Sequence, residues 1–454
     1  MKCRMFELGL VAAGALVCGC VTKTEKVIGV FDSGTGGITV LEKLLAQDAF
    51  NNETGADGAD GVPDFAGERF TFFADSANMS YGVYPSENKA DYLVDLAKND
   101  ARFVAGDRFY RSAAEKTPSG VKPKAKIIVI GCNTATAYGL ADIRKMMAGT
   151  GVEVVGVINA GSKAALDAIA GSSEPCAIGV MATRGTISSG AYERTLREEI
   201  AVRGLAREIV IVNQAGYGLS EAVDKVADFL DASLTVPRAA YRGPVLGTGE
   251  GRIDPSLLDR YAFDYGENRM LLRKGVDGRP VELQINDADN YVRYNFLSLV
   301  ERLRAMGRKT PLRAVVLGCT HFPYLTANLA RYAAELRKRP EYRDLIASDL
   351  KFIDPAVYTA RESYRILRRQ GLLGKTGAMS VDAYISVPDA GLPADKIGKD
   401  GRLTYDFRYS RNIGDPRGTK EVPFSKSNID AETRARLREK MPISFGLIAP
   451  KMVE

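Results

Sequence analysis

The feature that most constrains the fold is a regular alternation of short apolar runs with amphipathic segments. Residues 27–31 (VIGVF) form an apolar run that stops at Asp32, and apolar residues from Ile38 to Leu45 then recur at helical spacing. Strands that are apolar throughout and alternate with helices are typical of parallel sheets buried on both faces, with ligands at the carboxyl ends of the strands. Further runs predict strands at residues 69–73, 126–130, 152–158, 177–180, 209–212 and 314–317.

Length and composition limit the class of protein. The 454 residues are 45% hydrophobic and 26% charged, which is typical of a globular chain and excludes wholesale disorder. At roughly 150 residues per domain, a chain of this length suggests about three domains. The net charge of +6 is scattered without a polybasic block, so we expect no nucleic-acid partner.

The first twenty residues read as an export signal. Lys2 and Arg4 precede an apolar run over residues 8–19, which is shorter than the ~20 residues needed to span a bilayer. Because a small residue precedes Cys20, this cysteine is the predicted lipidation site, and the protein is then an exported, membrane-anchored lipoprotein. A mis-assigned start or a cytoplasmic extension is the alternative, in which case the protein is cytoplasmic.

Three stretches look like insertions into the alternating pattern. Residues 51–64 are rich in Gly and Asp, residues 101–124 are basic and polar, and residues from about 231 to 290 hold Gly, Pro and Tyr. Beyond residue 375 the sequence shows no strong core pattern until a helix near residues 430–440, which Asn428 or Asp430 would cap.

Two segments share one pattern, an apolar strand followed by Gly, Cys and polar residues. Cys132 follows residues 127–131 and Cys319 follows residues 314–318, and the chain's one histidine, His321, lies two residues beyond Cys319. Both thiols are therefore expected at strand carboxyl ends and helix amino ends, where backbone N–H groups and the helix dipole lower a thiol pKa. The imidazole would act as an acid or an electrostatic partner.

Other readings of these cysteines are open. Each could be a small buried hydrophobe, and Cys132, Cys319 and His321 with a carboxylate could bind zinc, although the short spacing of structural zinc sites is missing. A cysteine hydrolase would use one nucleophile and leave the second thiol unexplained. We expect no metal. Cys176 leads into a strand and is read as structural.

A pair of thiols suits inversion at an amino-acid Cα, because one thiol can remove the proton while the other returns one to the opposite face. The site must also hold the carboxylate and stabilise the developing carbanion, a task for helix amino ends and the hydroxyls of Ser33, Thr134 and Thr320. Asp32, at a strand end, could contact the ammonium group. The Gly-rich loop after Asp32 matches neither a dinucleotide fingerprint nor a P-loop.

Taken together, these residues resemble glutamate racemase, within the aspartate/glutamate racemase superfamily. The matching segments follow the order of the family and span roughly residues 27–355. They are residues 28–37, residues 73–76 followed by Tyr81-Gly82, and residues 131–135, 179–186 and 318–323.

The resemblance implies two doubly wound, mainly parallel α/β domains that face each other across an active-site cleft, with no cofactor. The first domain would cover residues 27–155 with the inserts 51–64 and 101–124, and the second residues 156–322 with the insert at about 231–290. Residues 323–375 would return to the first domain, and residues 376–454 would form a C-terminal extension after a signal at residues 1–20.

The resemblance also assigns roles to residues. Cys132 and Cys319 would be the acid/base pair, with Cys132 acting on the D-isomer and Cys319 on the L-isomer, and Asp32, His321 and Asp75 would assist. Glu221 matches a family carboxylate loosely, with a surface helix residue as the alternative. Substrate contacts would fall on Asp32, Ser33, Tyr81, Gly82, Asn133, Thr134, Thr183, Thr186, Thr320 and His321.

The expected function is therefore cofactor-independent racemisation of a small amino acid, with glutamate first and a link to D-glutamate supply for peptidoglycan. The export signal conflicts with a cytoplasmic need for D-glutamate. It keeps two alternatives open: an exported racemase for aspartate or other amino acids, and an inactive amino-acid-binding lipoprotein. The sequence leaves the oligomeric state open, with a homodimer among the states that it allows.

Overall fold

A computed structural model describes residues 26–223, 225–308, 310–374, 377–398 and 401–452. The predicted signal at residues 1–20 and the predicted lipidation site Cys20 lie outside these ranges. Among the residues that are described, no helix combines the length and the apolar character that crossing a bilayer requires.

Strands and helices alternate along most of the chain, as the sequence pattern predicts. In the described ranges the strands are β1 (Val27–Asp32), β2 (Arg69–Ala74), β3 (Arg108–Phe109), β4 (Gly120–Val121), β5 (Ala125–Ile130), β6 (Glu153–Gly156), β7 (Cys176–Ala182), β8 (Ile209–Ala215), β9 (Val245–Leu246), β10 (Arg252–Ile253), β11 (Met270–Lys274), β12 (Pro280–Ile285), β13 (Leu312–Gly318), β14 (Ile346–Ile353), β15 (Ser380–Pro388) and β16 (Thr419–Pro423). The α-helices there are α1 (Ile38–Ala46), α2 (Ala90–Ala105), α3 (Asn133–Met147), α4 (Val157–Ile169), α5 (Arg184–Ser188), α6 (Ala191–Val202), α7 (Leu219–Val223), α8 (Leu258–Tyr261), α9 (Ala288–Ala305), α10 (Thr326–Arg337), α11 (Pro340–Arg343), α12 (Pro355–Arg369), α13 (Tyr405–Ser410), α14 (Ala431–Lys440) and α15 (Pro442–Ile448).

The first core surrounds a six-stranded sheet with the order β16-β15-β2-β1-β5-β6, which is parallel except for the β15–β16 pair. Every residue of β1 is buried, because helices cover both faces of the sheet. Side chains of a strand alternate between faces, so Ile28 and Val30 pack with α1, α12 and α15, whereas Phe31 packs with α2 and α3.

The second core surrounds a four-stranded parallel sheet with the order β14-β13-β7-β8. One face packs against α4 and α6, and the other against α9 and α10. The chain passes from the first sheet to the second through α4 and returns through α12, and these two helices pack against each other. The predicted fold class, α/β with mainly parallel sheets, is confirmed.

Several element boundaries differ from the expectation. The apolar run at residues 152–158 is not one strand: β6 ends at Gly156 and α4 begins at Val157, since a short apolar run has the same appearance in a buried strand and a buried helix. The stretch at residues 101–124 begins inside α2, where Ala101 and Val104 are buried, and only its remainder is a hairpin.

The region after Cys319 also differs from the expectation. Residues 323–353 stay with the second sheet, because β14 pairs with β13, and the return to the first sheet begins at α12. The C-terminal extension contributes to the core: β15 pairs with β2, and β16 pairs with β15. Asp430 caps α14, as predicted, by accepting a hydrogen bond from the N–H of Thr433.

Candidate active site

The carboxyl ends of the two parallel sheets face one cleft with a volume of about 780 Å³. Cys132, which follows β5, and Cys319, which follows β13, both line it. Loops at the carboxyl ends of parallel strands are the usual place for a ligand in such sheets. The two cores thus each contribute one thiol to a common cavity.

Cys132 is the N-cap of α3, and its Sγ accepts a hydrogen bond from the N–H of Ala135 at 3.4 Å. The thiol lies 3.6 Å from the hydroxyl oxygen of Ser33, to which it can donate. Burial and the nearby charge of Asp32 raise the pKa of the Cys132 thiol. The sequence-based expectation of a lowered pKa is wrong for this thiol, because desolvation and a like charge outweigh the helix amino end.

Asp32 ends β1 and is buried beside Cys132. Burial raises the pKa of its carboxyl group, while the N–H of Ser33, the Cys132 thiol and the charge of His321 oppose that rise. The loop must come very close to this carboxylate: a Cβ added at Gly37 would lie 2.2 Å from the Cβ of Asp32. The absence of a side chain at Gly37 therefore leaves the space in which Asp32 sits.

Cys319 follows β13 directly, and its Sγ lies 3.5 Å from Nδ1 of His321. The predicted proximity of the imidazole to this thiol is confirmed. The expectation that Cys319 lies at a helix amino end is wrong, because the next helix is a short 3-10 helix that begins only at Phe322 and has His321 as its N-cap. Cys319 therefore lies in a turn and, unlike Cys132, does not cap a helix.

Ser220 belongs to the site, although no sequence motif points to it. Its hydroxyl oxygen lies 3.2 Å from the Sγ of Cys319. Each thiol is thus accompanied by a serine hydroxyl, Ser33 at Cys132 and Ser220 at Cys319. Ser220 lies on the five-residue helix α7, and only the fold brings that helix to the end of β13. Glu221, beside it, also lines the cleft.

Most of the predicted substrate contacts come together in the cleft wall. Asn133 is held in place by the hydroxyl of Tyr192, which donates to its Oδ1 at 2.7 Å. Thr186 is an exception, because it is buried behind the wall, where its hydroxyl contacts those of Thr134 and Thr183. The predicted residues that line the cleft are Asp32, Ser33, Tyr81, Gly82, Asn133, Thr134, Thr183, Thr320 and His321.

Asp75 lies behind the wall and is not among the lining residues. Its carboxylate accepts hydrogen bonds from Asn78 Nδ2 at 2.9 and 3.0 Å and from the Tyr81 hydroxyl at 2.6 Å. The same hydroxyl lies 2.7 Å from a carboxyl oxygen of Asp100. This geometry fits a support for Tyr81 and gives Asp75 no direct contact with the cleft.

The insert at about residues 231–290 supplies part of the cleft wall. Its body packs on the second core through Ile253, Phe263 and Leu283. Two of its loops reach the cleft with residues 241–245 and 250–252, which include Tyr241, Arg242 and Arg252. In the described part of the chain, no three His, Cys, Asp or Glu side chains are grouped to hold a metal ion, so the zinc alternative has no ligand set there.

The chain is similar in sequence to curated glutamate racemases. The chain is similar to the glutamate racemase of Lactobacillus johnsonii, with 24% identity over 366 residues that cover 81% of this chain and 90% of the relative. The glutamate racemase of Enterococcus faecalis is 30% identical over 213 residues, 46% of this chain and 62% of the relative. No family model matches the chain.

Two solved structures that are similar to the chain are glutamate racemases. A glutamate racemase isoform from Bacillus anthracis superimposes with a TM-score of 0.45 at 20% identity and covers 79% of this chain and 88% of its own. The glutamate racemase of Francisella tularensis in complex with D-glutamate gives a TM-score of 0.43 at 16% identity, over 86% of this chain and 96% of its own.

Proposed function

We propose that the chain is an amino-acid racemase of the glutamate racemase family and that it interconverts L- and D-glutamate with two thiols; its similarity to curated glutamate racemases supports the proposal. The observation that carries the proposal is that Cys132 and Cys319 line one cleft and come from different sheets. Two acid/base groups on separate walls can act on opposite faces of one Cα.

In the proposed reaction the free enzyme holds one thiolate and one thiol. For the L-isomer, the Cys319 thiolate takes the Cα proton, so that a C–H bond breaks and an S–H bond forms, and the electron pair stays on the substrate. The Cys132 thiol then gives its proton to the opposite face and becomes a thiolate. The D-isomer reacts by the reverse sequence. The raised pKa of Cys132 suits a thiol that arrives at the reaction protonated.

The polar groups of the cleft fit the rest of the substrate. The carboxylate of Asp32 suits the α-ammonium group. The hydroxyls of Thr134 and Thr183 and the amide of Asn133 can donate to carboxylate oxygens, which acquire charge as the carbanion forms.

The test measures Cα proton exchange by NMR in deuterated water. It uses the chain without residues 1–20 under reducing conditions. We expect exchange and loss of optical activity with L- and D-glutamate, and loss of turnover in Cys132→Ala and in Cys319→Ala. Cys176→Ala is the matched control, since Cys176 is also a buried free cysteine but lies at the start of β7.

Three outcomes contradict the proposal in different ways. Turnover that survives in both cysteine variants refutes the two-thiol mechanism. Exchange with aspartate or another amino acid in place of glutamate reassigns the substrate. Tight amino-acid binding by the folded protein without exchange identifies an inactive binding lipoprotein.

We propose further that the protein produces D-glutamate that can be used for peptidoglycan, and, as a separate point, that the full-length chain is exported and anchored through Cys20; if residues 1–20 are not used as a signal, the protein is cytoplasmic, where D-glutamate is needed. Growth of a D-glutamate auxotroph that carries the chain without residues 1–20 tests the first point, with the double cysteine variant as the control. Labelling with a fatty-acid analogue tests the second. Loss of label and of membrane association in Cys20→Ala is expected, and an unlabelled full-length chain in the soluble fraction contradicts it.

A further inference from the structure

The C-terminal extension holds the part of the cleft wall that contains Tyr81 and Gly82. The Tyr409 hydroxyl accepts from the backbone N–H of Ser80 at 3.0 Å and donates to its carbonyl oxygen at 3.1 Å. Arg408 donates to the carbonyl oxygen of Met79. These contacts come from α13 and reach the chain immediately before Tyr81, across more than 300 residues of sequence.

A continuous series of side-chain hydrogen bonds joins the extension to Tyr81. The guanidinium of Arg411 donates to Oδ1 of Asn78 at 2.6 Å, and the amide of Asn78 donates to both carboxylate oxygens of Asp75. Asp75 in turn accepts the hydrogen bond of the Tyr81 hydroxyl. Arg411 is 3% exposed, so this series lies away from solvent, where such bonds are strong.

The hydrogen bonds of the Tyr81 hydroxyl limit where the protons of this cluster can lie. The Tyr81 hydroxyl has one proton but lies within hydrogen-bonding distance of both Asp75 and Asp100. If it donates to Asp75, Asp100 must keep its own proton and donate to the phenol oxygen. Burial and the charge of Asp75 raise the pKa of Asp100 well above its usual range, which agrees with that arrangement. In that arrangement Asp75 accepts hydrogen bonds from both Tyr81 and Asn78, and the guanidinium of Arg411 reaches Asp75 through Asn78.

Gly82, next to Tyr81, also lies close to the other half of the cleft. A Cβ added at Gly185, on α5, would lie 2.7 Å from the carbonyl oxygen of Gly82. Gly82 faces the hydroxyls of Thr134 and Thr183, at 4.0 and 3.9 Å from an added Cβ. A displacement of this segment would therefore change the space between the two walls in which the substrate is bound.

We propose that Arg411 is a positioning residue: it acts through Asn78 and Asp75 to hold Tyr81-Gly82 in the geometry that binds the amino acid. The inference rests on the proposed function for its kinetic readout only. It assigns a role to the C-terminal extension and gives Asp75 a supporting role behind the site.

The experiment compares wild type with Arg411→Gln and Arg411→Lys, with Lys396→Gln as the control. Lys396 is a cation of the same extension whose ammonium pairs with the adjacent Asp395 on the surface. Steady-state kinetics with both glutamate enantiomers gives KM and kcat, and hydrogen–deuterium exchange mass spectrometry follows peptides that cover residues 76–87 without reference to activity.

For Arg411→Gln we expect KM to rise about tenfold or more and kcat to change much less, because the lost hydrogen bond is charge-assisted and acts on binding geometry. Amide exchange should become faster at residues 76–87 and stay unchanged around Cys319. Arg411→Lys should recover part of the affinity, since the charge remains but the planar fork does not. Lys396→Gln should behave as wild type.

Unchanged KM and unchanged exchange at residues 76–87 in folded Arg411→Gln would overturn the inference. If Arg411→Gln does not fold, Tyr409→Phe provides the test, because it removes only the hydroxyl that contacts Ser80. Wild-type KM and wild-type exchange at residues 76–87 in Tyr409→Phe would then overturn the inference that the C-terminal extension positions Tyr81-Gly82. A wild-type protein without turnover refutes the proposed function, whereas the exchange pattern still decides the positioning role.

Discussion

Replacing Asp32 with asparagine should make the Cys132 thiol react faster with an alkylating reagent. Asparagine has nearly the same shape as aspartate but no charge, and the Asp32 charge is one of the two main causes that raise the pKa of Cys132. Because the thiolate is the species that is alkylated, removal of that charge increases the reactive fraction at any pH below the pKa of the thiol.

The size of the effect follows from the contact between the two groups. Asp32 neighbours Cys132, and its charge raises the pKa of that thiol. For scale, two unit charges roughly 4 Å apart interact by about 4 kcal/mol at an effective dielectric constant of ~20. A third of that energy, about 1.4 kcal/mol, already changes the thiolate fraction tenfold. A thiolate of lower pKa is a weaker nucleophile, so a tenfold gain in fraction leaves roughly a threefold gain in rate. We therefore expect alkylation about three to ten times faster.

The assay is alkylation with iodoacetamide near pH 8.5 under native conditions, with each cysteine quantified by mass spectrometry of its peptide. Cys319 is an internal reference, because it is 8% exposed and Cys132 is 6% exposed. Cys176 is fully buried and reports any unfolding. A Cys132 to Cys319 rate ratio that stays constant or falls in Asp32→Asn, with Cys176 unlabelled, would refute the electrostatic reasoning.

Two further substitutions test other contacts. Ser220→Ala should lower turnover about two- to tenfold, because it removes a neutral hydrogen bond of ~1 kcal/mol to the Cys319 thiol. Steady-state rates measure this effect. A Ser220→Thr variant, which keeps the hydroxyl, would contradict the reasoning if it were equally slow. Glu68→Gln should lower the free energy of unfolding by about 3 kcal/mol or more in urea titrations, because it leaves the buried Lys126 ammonium without its counter-charge. Asp382→Asn is the control and should cost under about 1 kcal/mol, because Asp382 is only half-buried and its cation partners Arg69 and Lys451 are exposed to solvent. Equal losses in the two variants would disprove the argument from burial.

The parts of the fold that sequence predicts well are those with a strong local signal. Runs such as β1 and β5 are apolar throughout, since both faces of the sheet are covered, and their positions follow from the pattern alone. β15 cannot be predicted in this way, although it pairs with β2 inside the core. Buried and half-buried residues are mixed along it, and Asp382 and Ser386 interrupt its apolar residues, so the segment resembles a polar loop in sequence.

In the site, the thiols and His321 are predictable because their local pattern of strand, Gly and Cys implies a position at a strand end. Ser220 is not predictable in this way, because its contact with Cys319 depends on how α7 packs in the folded chain. Asp75 shows a further limit. The sequence already places Asp75 close to Tyr81 along the chain. Only the folded structure shows that its carboxylate lies behind the cleft wall and not in the cleft.

The position of β15 determines when the first sheet can be completed during protein synthesis. β1, β2 and β5 leave the ribosome early, yet β2 stays the edge strand of its sheet until residues 380–388 emerge and pair with it. An unpaired edge offers free N–H and C=O groups to any other extended chain. The nascent protein therefore carries an open sheet edge for most of its translation, and a chain that stops before β15 should aggregate or be degraded in the cell.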